Sequence, residues 1–375
     1  MKVRVERDVL AESVAWAART LPSRPSLPVL AGLVLTANDG SLTISSFDYE
    51  VSGRVEVDAD IADSGVCLVS GRLLADIARS LPAAPVVLES EGSRLQLTCG
   101  RSSFTLPTLP AEDYPQLPSM PTTSGSIGGR AFAEAVAQVA IAAGRDDTLP
   151  TLTGIRIEIE GASMTLAATD RYRLAVRELV WQPTSSSLST HALIPARTLA
   201  DSAKALADVE EVLLALASAG AGDGLVGFEG NSRRTTTRLL DGEFPKYRSL
   251  LPSESSAIAS VDTAVLSEAV KRVALVAERN TPVRLAFSAS ELTLRAGAGD
   301  DASAEEAVEC SLEGDAIDIA FNPAYLLDGL TAVSSDTTRF SFTQSTRPAV
   351  LTAGADASHD TDSYKYLLMP VRLTG

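Results

Sequence analysis

Histidine is nearly missing from this chain: His191 and His359 are the two among 375 residues. Neither stands in an HExxH or HxH pattern, so a histidine-based catalytic triad or zinc centre has almost no material. Cysteine is as scarce. Cys67, Cys99 and Cys310 are odd in number and isolated, with no CxxC pair. A disulfide framework and a structural zinc are both excluded as expectations, and a reducing compartment fits. Lysine is rare too, five residues against 27 arginines. No GxxxxGK[ST] stretch and no strand-coupled GxGxxG is present, so nucleotide-cradling loops are not expected. The glycine-rich Gly220-Ala-Gly-Asp-Gly224 lies between strand-like runs and reads as a hairpin loop. Long apolar runs are absent. The segments 135–144 and 212–222 are far too short for a bilayer, and Met1-Lys-Val-Arg-Val-Glu lacks the apolar core of a signal peptide. No membrane contact and a cytoplasmic location are therefore expected.

Acid is what the chain has in excess. Its net charge is −16, with 45% hydrophobic and 21% charged residues. That is ordinary globular composition, and it argues against gripping nucleic acid by bulk charge. The length suits two or three domains.

An internal repeat decides between them. Leu27-Pro-Val-Leu-Ala-Gly32 aligns with Leu149-Pro-Thr-Leu-Thr-Gly154 at an offset of 122 residues, and the same offset places Asp48 on Asp170. Arg72-Leu-Leu-Ala-Asp76 matches Arg197-Thr-Leu-Ala-Asp201, and Asp113-Tyr-Pro115 matches Glu243-Phe-Pro245. A fainter third copy has Pro282–Phe287 as its first strand and Leu326-Leu-Asp328 on its second helix. Missing such a repeat would misassign the fold. Each copy reads as two helices among many short strands, an α+β plan in three domains.

The predicted helices are 9–20 (with Asp8 as cap), 72–81, 130–144, 196–206, 263–279, and one starting at Pro323 behind an Asn322 cap. In the strand Gly154–Glu160, Ile155, Ile157 and Ile159 alternate with Arg156, Glu158 and Glu160, which predicts one buried face. The linkers read as 119–126 and 252–256. Taken with their flanks, the six helices hold ten bases and eight acids, a mildly basic set on an acidic body.

The stretch Thr165–Leu179 organises the chain. It reads as strand, turn at Thr169-Asp170, strand, and it carries Arg171, Tyr172, Arg173 and Leu174 on a connection, where binding residues concentrate. The repeated Asp48 and Asp170 admit a catalytic carboxylate reading, but a turn aspartate bonding its own backbone is the better one. The ending Tyr364–Leu373 is apolar, unlike the usual polar terminus, and predicts docking against something.

Several stretches together resemble one family, the bacterial sliding clamps, the beta subunits of DNA polymerase III. They are Arg24-Pro-Ser-Leu-Pro-Val-Leu30, Thr169-Asp-Arg-Tyr-Arg-Leu-Ala175, Asp241-Gly-Glu-Phe-Pro-Lys-Tyr247 and Leu368-Met-Pro-Val-Arg-Leu373. The resemblance runs end to end. It implies three clamp domains, at 1–122, 126–252 and 258–375, two helices and antiparallel sheets in each. It implies a head-to-tail homodimeric ring with the helices facing a hole for duplex DNA. A catalytic role and a cofactor are not implied. Arg24, Arg72, Arg79, Arg197 and Lys204 would meet DNA phosphates without reading sequence. Leu152, Thr169, Arg171, Tyr172, Arg173, Leu174, Pro245, Leu250, Met369, Pro370, Val371 and Arg372 would form a groove for partner peptides bearing a leucine and a terminal phenylalanine. The polymerase III alpha subunit, clamp loader, ligase and repair polymerases would compete for it. Arg101 and Phe104 would meet Leu275, Val276, Glu305 and Glu306 of a second copy. Many members carry Gly-His where this chain has Arg171-Tyr172. A non-encircling peptide-binding scaffold and a carboxylate-based enzyme stay open as alternatives.

Overall fold

The computed structural model describes residues 1–216, 224–277, 281–297, 302–354 and 363–372. The predicted loop at 220–223, Glu278 and Arg279, His359 and Leu373 lie outside the described residues.

Six helices are present among them: α1 (Arg7–Ala17), α2 (Gly71–Ser80), α3 (Gly129–Ala140), α4 (Ala196–Ala205), α5 (Thr263–Val273) and α6 (Pro323–Val333). Four predictions of helix ends need correction. Glu6, not Asp8, is the cap residue of α1, and Asp8 sits in its first turn. The last turns of α1 and α5 tighten into 3-10 helix at Ala18–Thr20 and Ala274–Val276. The periodic pattern of α3 runs on to Gly144, but the helix stops at Ala140. Ala142 and Ala143 bond back only three residues, to Val139 and Ala140. Tight three-residue turns keep the apolar spacing while ending the α-helix, which is why the pattern outlasts the helix. The α6 cap is as expected: the Asn322 side chain accepts from the amides of Ala324 and Tyr325. A short acidic strand, Asp60–Asp63, was not expected.

With observed boundaries, the helices hold eight bases and seven acids. The predicted basic bias thus shrinks to near neutrality. The helices still stand out against a body that carries essentially all of the −16 charge.

Two compact units contain these elements. The first comprises Met1–Arg130, Gln182–Ser185 and Asp201–Leu239; the second comprises Ala131–Trp181, Ser186–Ala200 and Leu240–Gly375. The first holds a 14-stranded antiparallel sheet and the second a 12-stranded one. In the first, α1 and α2 pack together over a core that includes Leu10, Val14, Leu33, Leu35, Leu74 and Leu97. In the second, α5 packs against α6. The strand Gly154–Glu160 follows its predicted alternation: Ile155, Ile157 and Ile159 are buried, while Arg156, Glu158 and Glu160 face outward.

The units do not follow the three sequence repeats, because strands pair across repeats. In the first unit, Val51–Asp58 of the first repeat pairs with Arg233–Arg238 of the second. In the second unit, Arg173–Val180 of the second repeat pairs with Tyr364–Leu368 of the third. The apolar chain ending is therefore an inner strand. It lies between Arg173–Val180 and Ala349–Ala353.

Candidate functional site

The hairpin at Asp170 is built by its own side chain. The Asp170 Oδ1 accepts from the amides of Tyr172 and Arg173, both at 3.0 Å. Thr169 Oγ1 donates to the Arg173 carbonyl at 2.7 Å and accepts from the Arg171 amide. Asp48 repeats this turn: its Oδ1 accepts from Glu50 at 3.0 Å and Val51 at 2.7 Å. Both aspartates are turn residues, as the sequence favoured. The turn forces positive φ on the next residue, +75° at Tyr49 and +80° at Arg171.

Arg173 follows the turn and is 5% exposed. Its Nε donates to Asp170 Oδ2 at 3.0 Å, and its Nη1 donates to Asp328 Oδ2 on α6 at 2.5 Å. Its Cζ lies 4.3 Å from the Tyr325 ring centroid, a cation–π distance. Burial works against this cation, but Tyr366, Asp328 and Asp170 outweigh it, and its pKa is raised. Tyr325 in turn stacks on Tyr172, with centroids 6.2 Å apart and planes 26° apart. The Tyr366 hydroxyl donates to the Tyr325 carbonyl at 2.8 Å.

Around this network opens a cleft of about 640 Å³, lined by Arg145, Leu149, Leu152, Arg171, Tyr172 and Tyr325 among others. Of the predicted groove residues, Leu152, Arg171, Tyr172 and Arg173 line it; the rest do not. Met369 and Val371 are exposed on the segment that follows the strand Tyr364–Leu368, held by the Met369 amide on the Tyr172 carbonyl (2.9 Å) and the Val371 amide on the Ala320 carbonyl (2.8 Å). Pro370 is half-buried and Arg372 exposed. Pro245 and Leu250 are exposed at either end of a short turn. That turn is pinned to the sheet: Tyr247 and Arg248 both donate to Glu158 Oε2, at 2.9 and 2.7 Å. Burial opposes the Glu158 carboxylate, yet bonds from Arg248, Arg156 and Tyr247 hold its pKa below the usual value. Thr169 is buried, and Leu174, expected as a groove wall, is 1% exposed. Leu174 instead belongs to a core cluster with Phe244, Tyr247, Val350 and Leu367. It is a core residue of the sheet. A strand residue facing a sheet's packed side has no other place to go.

Sequence reasoning missed Tyr325 and Asp328. Both were within reach: they sit three residues apart on one face of a helix whose cap was recognised.

The five residues expected to face DNA are all exposed. Arg72 donates to the Pro22 carbonyl at 3.1 Å, and Arg79 lies 3.5 Å from Asp76. At the expected subunit interface, Leu275 is 84% exposed, Val276 and Phe104 are partly buried, and Arg101 is exposed. Glu305 and Glu306 already have partners in their own chain. Arg295 holds Glu305 at 2.6 Å, and Arg272 holds Glu306 through two bonds of 2.6 and 3.0 Å. A partner's Arg101 would have to share them. Among the described residues no group of His, Cys, Asp and Glu gathers as metal ligands, and no helix is long and apolar enough to cross a membrane.

Family comparison bears on the whole chain. The N-terminal domain of the DNA polymerase III beta subunit matches residues 1–118, its central domain 126–246 and its C-terminal domain 248–372. The chain belongs to this sliding-clamp family. A beta sliding clamp of Streptomyces coelicolor is 61% identical over 100% of both chains. The beta sliding clamp homolog GriR of Streptomyces muensis is 48% identical over 99% of each. Among solved structures, a sliding clamp of Pseudomonas aeruginosa bound to griselimycin superposes with a TM-score of 0.92 at 28% identity, covering 100% of both chains.

Proposed function

We propose that two copies of this chain close head to tail into a ring that encircles duplex DNA and tethers the replicative polymerase to it. The ring is non-catalytic, and it works in the cytoplasm on the chromosome. Its three domains span 1–122, 126–252 and 258–375. Arg24, Arg72, Arg79, Arg197 and Lys204 face the DNA. The near-neutral helix set supports this reading. A ring retains its track by topology, and dense phosphate contacts would slow sliding through counterion release and recapture. The cleft at Tyr172 and the apolar shelf of Pro245, Leu250, Met369 and Val371 together take partner peptides. The polymerase alpha subunit, the clamp loader, ligase and repair polymerases compete there. Large apolar side chains seated on the shelf contribute about 1.5–3 kcal/mol each, which suits exchangeable partners.

One observation carries the ring. Two strands keep an unpaired flank among the described residues: Ser102–Pro107 pairs only with Arg94–Cys99, and Ala304–Glu309 pairs only with Glu291–Ala296. They occupy, in the first and third repeats, the positions of the strands that join repeat to repeat elsewhere. Open edges of that length ask for a partner strand.

Topological retention tests this. The labelled protein is loaded onto nicked circular plasmid with clamp loader and ATP, and the plasmid is then linearised. Retention on circles through moderate salt with loss from linear DNA is the expected result. Retention on both would mean contact binding, and retention on neither would favour a non-encircling peptide scaffold.

A further inference from the structure

The Asp328–Arg173 contact is not explained by charge balance. Asp170 alone neutralises Arg173, through Nε at 3.0 Å. Asp328 adds a second carboxylate from a different element, 155 residues away, on Nη1. Ion pairs of this kind contribute little net stability, because removing the cation from water offsets the attraction. What a second carboxylate adds is direction. One bond leaves a guanidinium free to swing about it, while two bonds at different nitrogens fix its plane.

The fixed plane matters because Tyr325 lies against it. The Tyr325 ring contacts both the Arg173 cation and the Tyr172 ring. Tyr172 and Tyr325 both line the cleft, and Tyr172 is 54% exposed. The junction of the first and second repeats serves as an internal control. Asp201 of the second repeat matches Asp328 there. Val51 stands where Arg173 does. With valine in place of arginine, that junction has no counterpart of the network among the described residues.

We propose that Asp328 is a positioning residue for partner-peptide binding: through Arg173 it holds the Tyr325–Tyr172 stack as the aromatic wall of the cleft. This rests on the reading of the cleft as the peptide site. Asp328 also lines the cleft, and the variants below separate its hold on Arg173 from direct contact with the peptide.

The test uses the full-length chain and a fluorescein-labelled pentapeptide carrying a leucine and a terminal phenylalanine, followed by fluorescence anisotropy. D328N keeps the shape of the side chain but loses the charged acceptor, and is expected to weaken binding about five- to tenfold, the worth of one hydrogen bond. D328E restores binding to within about threefold of wild type on the same basis. In a Y172A background, where the stack no longer exists, D328N has no further effect. That non-additivity separates positioning from general destabilisation. Circular dichroism confirms that each variant is folded. If wild type binds the peptide and D328N binds equally well, the proposal is overturned. The same holds if D328N loses as much affinity in the Y172A background as in wild type. A wild type that does not bind the peptide overturns the peptide-site reading itself, and this proposal with it.

Discussion

Replacing Arg171 separates backbone from side chain at the cleft. Its φ of +80° is a conformation that glycine adopts freely and other residues do not. Left-handed backbone costs a residue with a Cβ about 1–2 kcal/mol. Glycine also loosens the unfolded chain, which takes back about 0.4–1 kcal/mol. Arg171→Gly should therefore exceed Arg171→Ala in stability by about 0.8 kcal/mol, since alanine keeps the strain and lacks the side chain equally. On a unit of this size that is a shift of about 1–3 °C in melting temperature. Differential scanning calorimetry of the two variants side by side reads it, on the transition of the second unit. Tyr49 supplies a duplicate: its φ is +75° in the same aspartate turn, so Tyr49→Gly should exceed Tyr49→Ala by a similar margin. If alanine is as stable as glycine at both positions, the turn does not strain these residues and the reasoning fails.

Three further outcomes follow from single contacts. Asn322→Ala removes the α6 cap and should cost about 1 kcal/mol, read as a lower melting temperature of the second unit. Glu158 has a lowered folded-state pKa, so its contribution is full at neutral pH and is lost as pH falls below the ordinary carboxylate value of 4.5 through the folded value. The melting-temperature gap between wild type and Glu158→Gln should accordingly be widest near pH 7 and narrow as pH falls below 4.5 through the folded value. A gap unchanged by pH would contradict this. Leu275→Ala with Val276→Ala strips exposed apolar surface at the proposed interface and should raise the dimer dissociation constant, measured by sedimentation at falling concentration.

Local chemistry was legible in the sequence. The aspartate turns at Asp48 and Asp170, the Asn322-Pro323 helix start and the isoleucine alternation of Gly154–Glu160 each depend on neighbours within a few residues. Arg173 shows the limit. Nothing near it in sequence marks it for burial, because one of its two carboxylates comes from Asp328. Leu174 shows the same limit: its burial depends on what packs from Phe244 and Leu367. The repeat itself was legible, but the two units were not, since strand partners between repeats are chosen by long-range pairing that no local pattern encodes.

That pairing argues for the assembly. Val51–Asp58 with Arg233–Arg238 joins the first repeat to the second, and Arg173–Val180 with Tyr364–Leu368 joins the second to the third. The backbone repeats the join closely: the Arg238 amide donates to the Glu50 carbonyl at 3.0 Å, and the Met369 amide to the Tyr172 carbonyl at 2.9 Å. By the same rule Ala304–Glu309 should pair with Ser102–Pro107, and within the chain it does not. The two flanks differ, so association is head to tail, which closes into a ring or grows into a filament. Solution mass decides between them. A closed dimer has twice 39.2 kDa, about 78 kDa, and stays there as concentration rises. A mass that keeps climbing would mean that the joins do not close, and the encircling function would lose its structural basis.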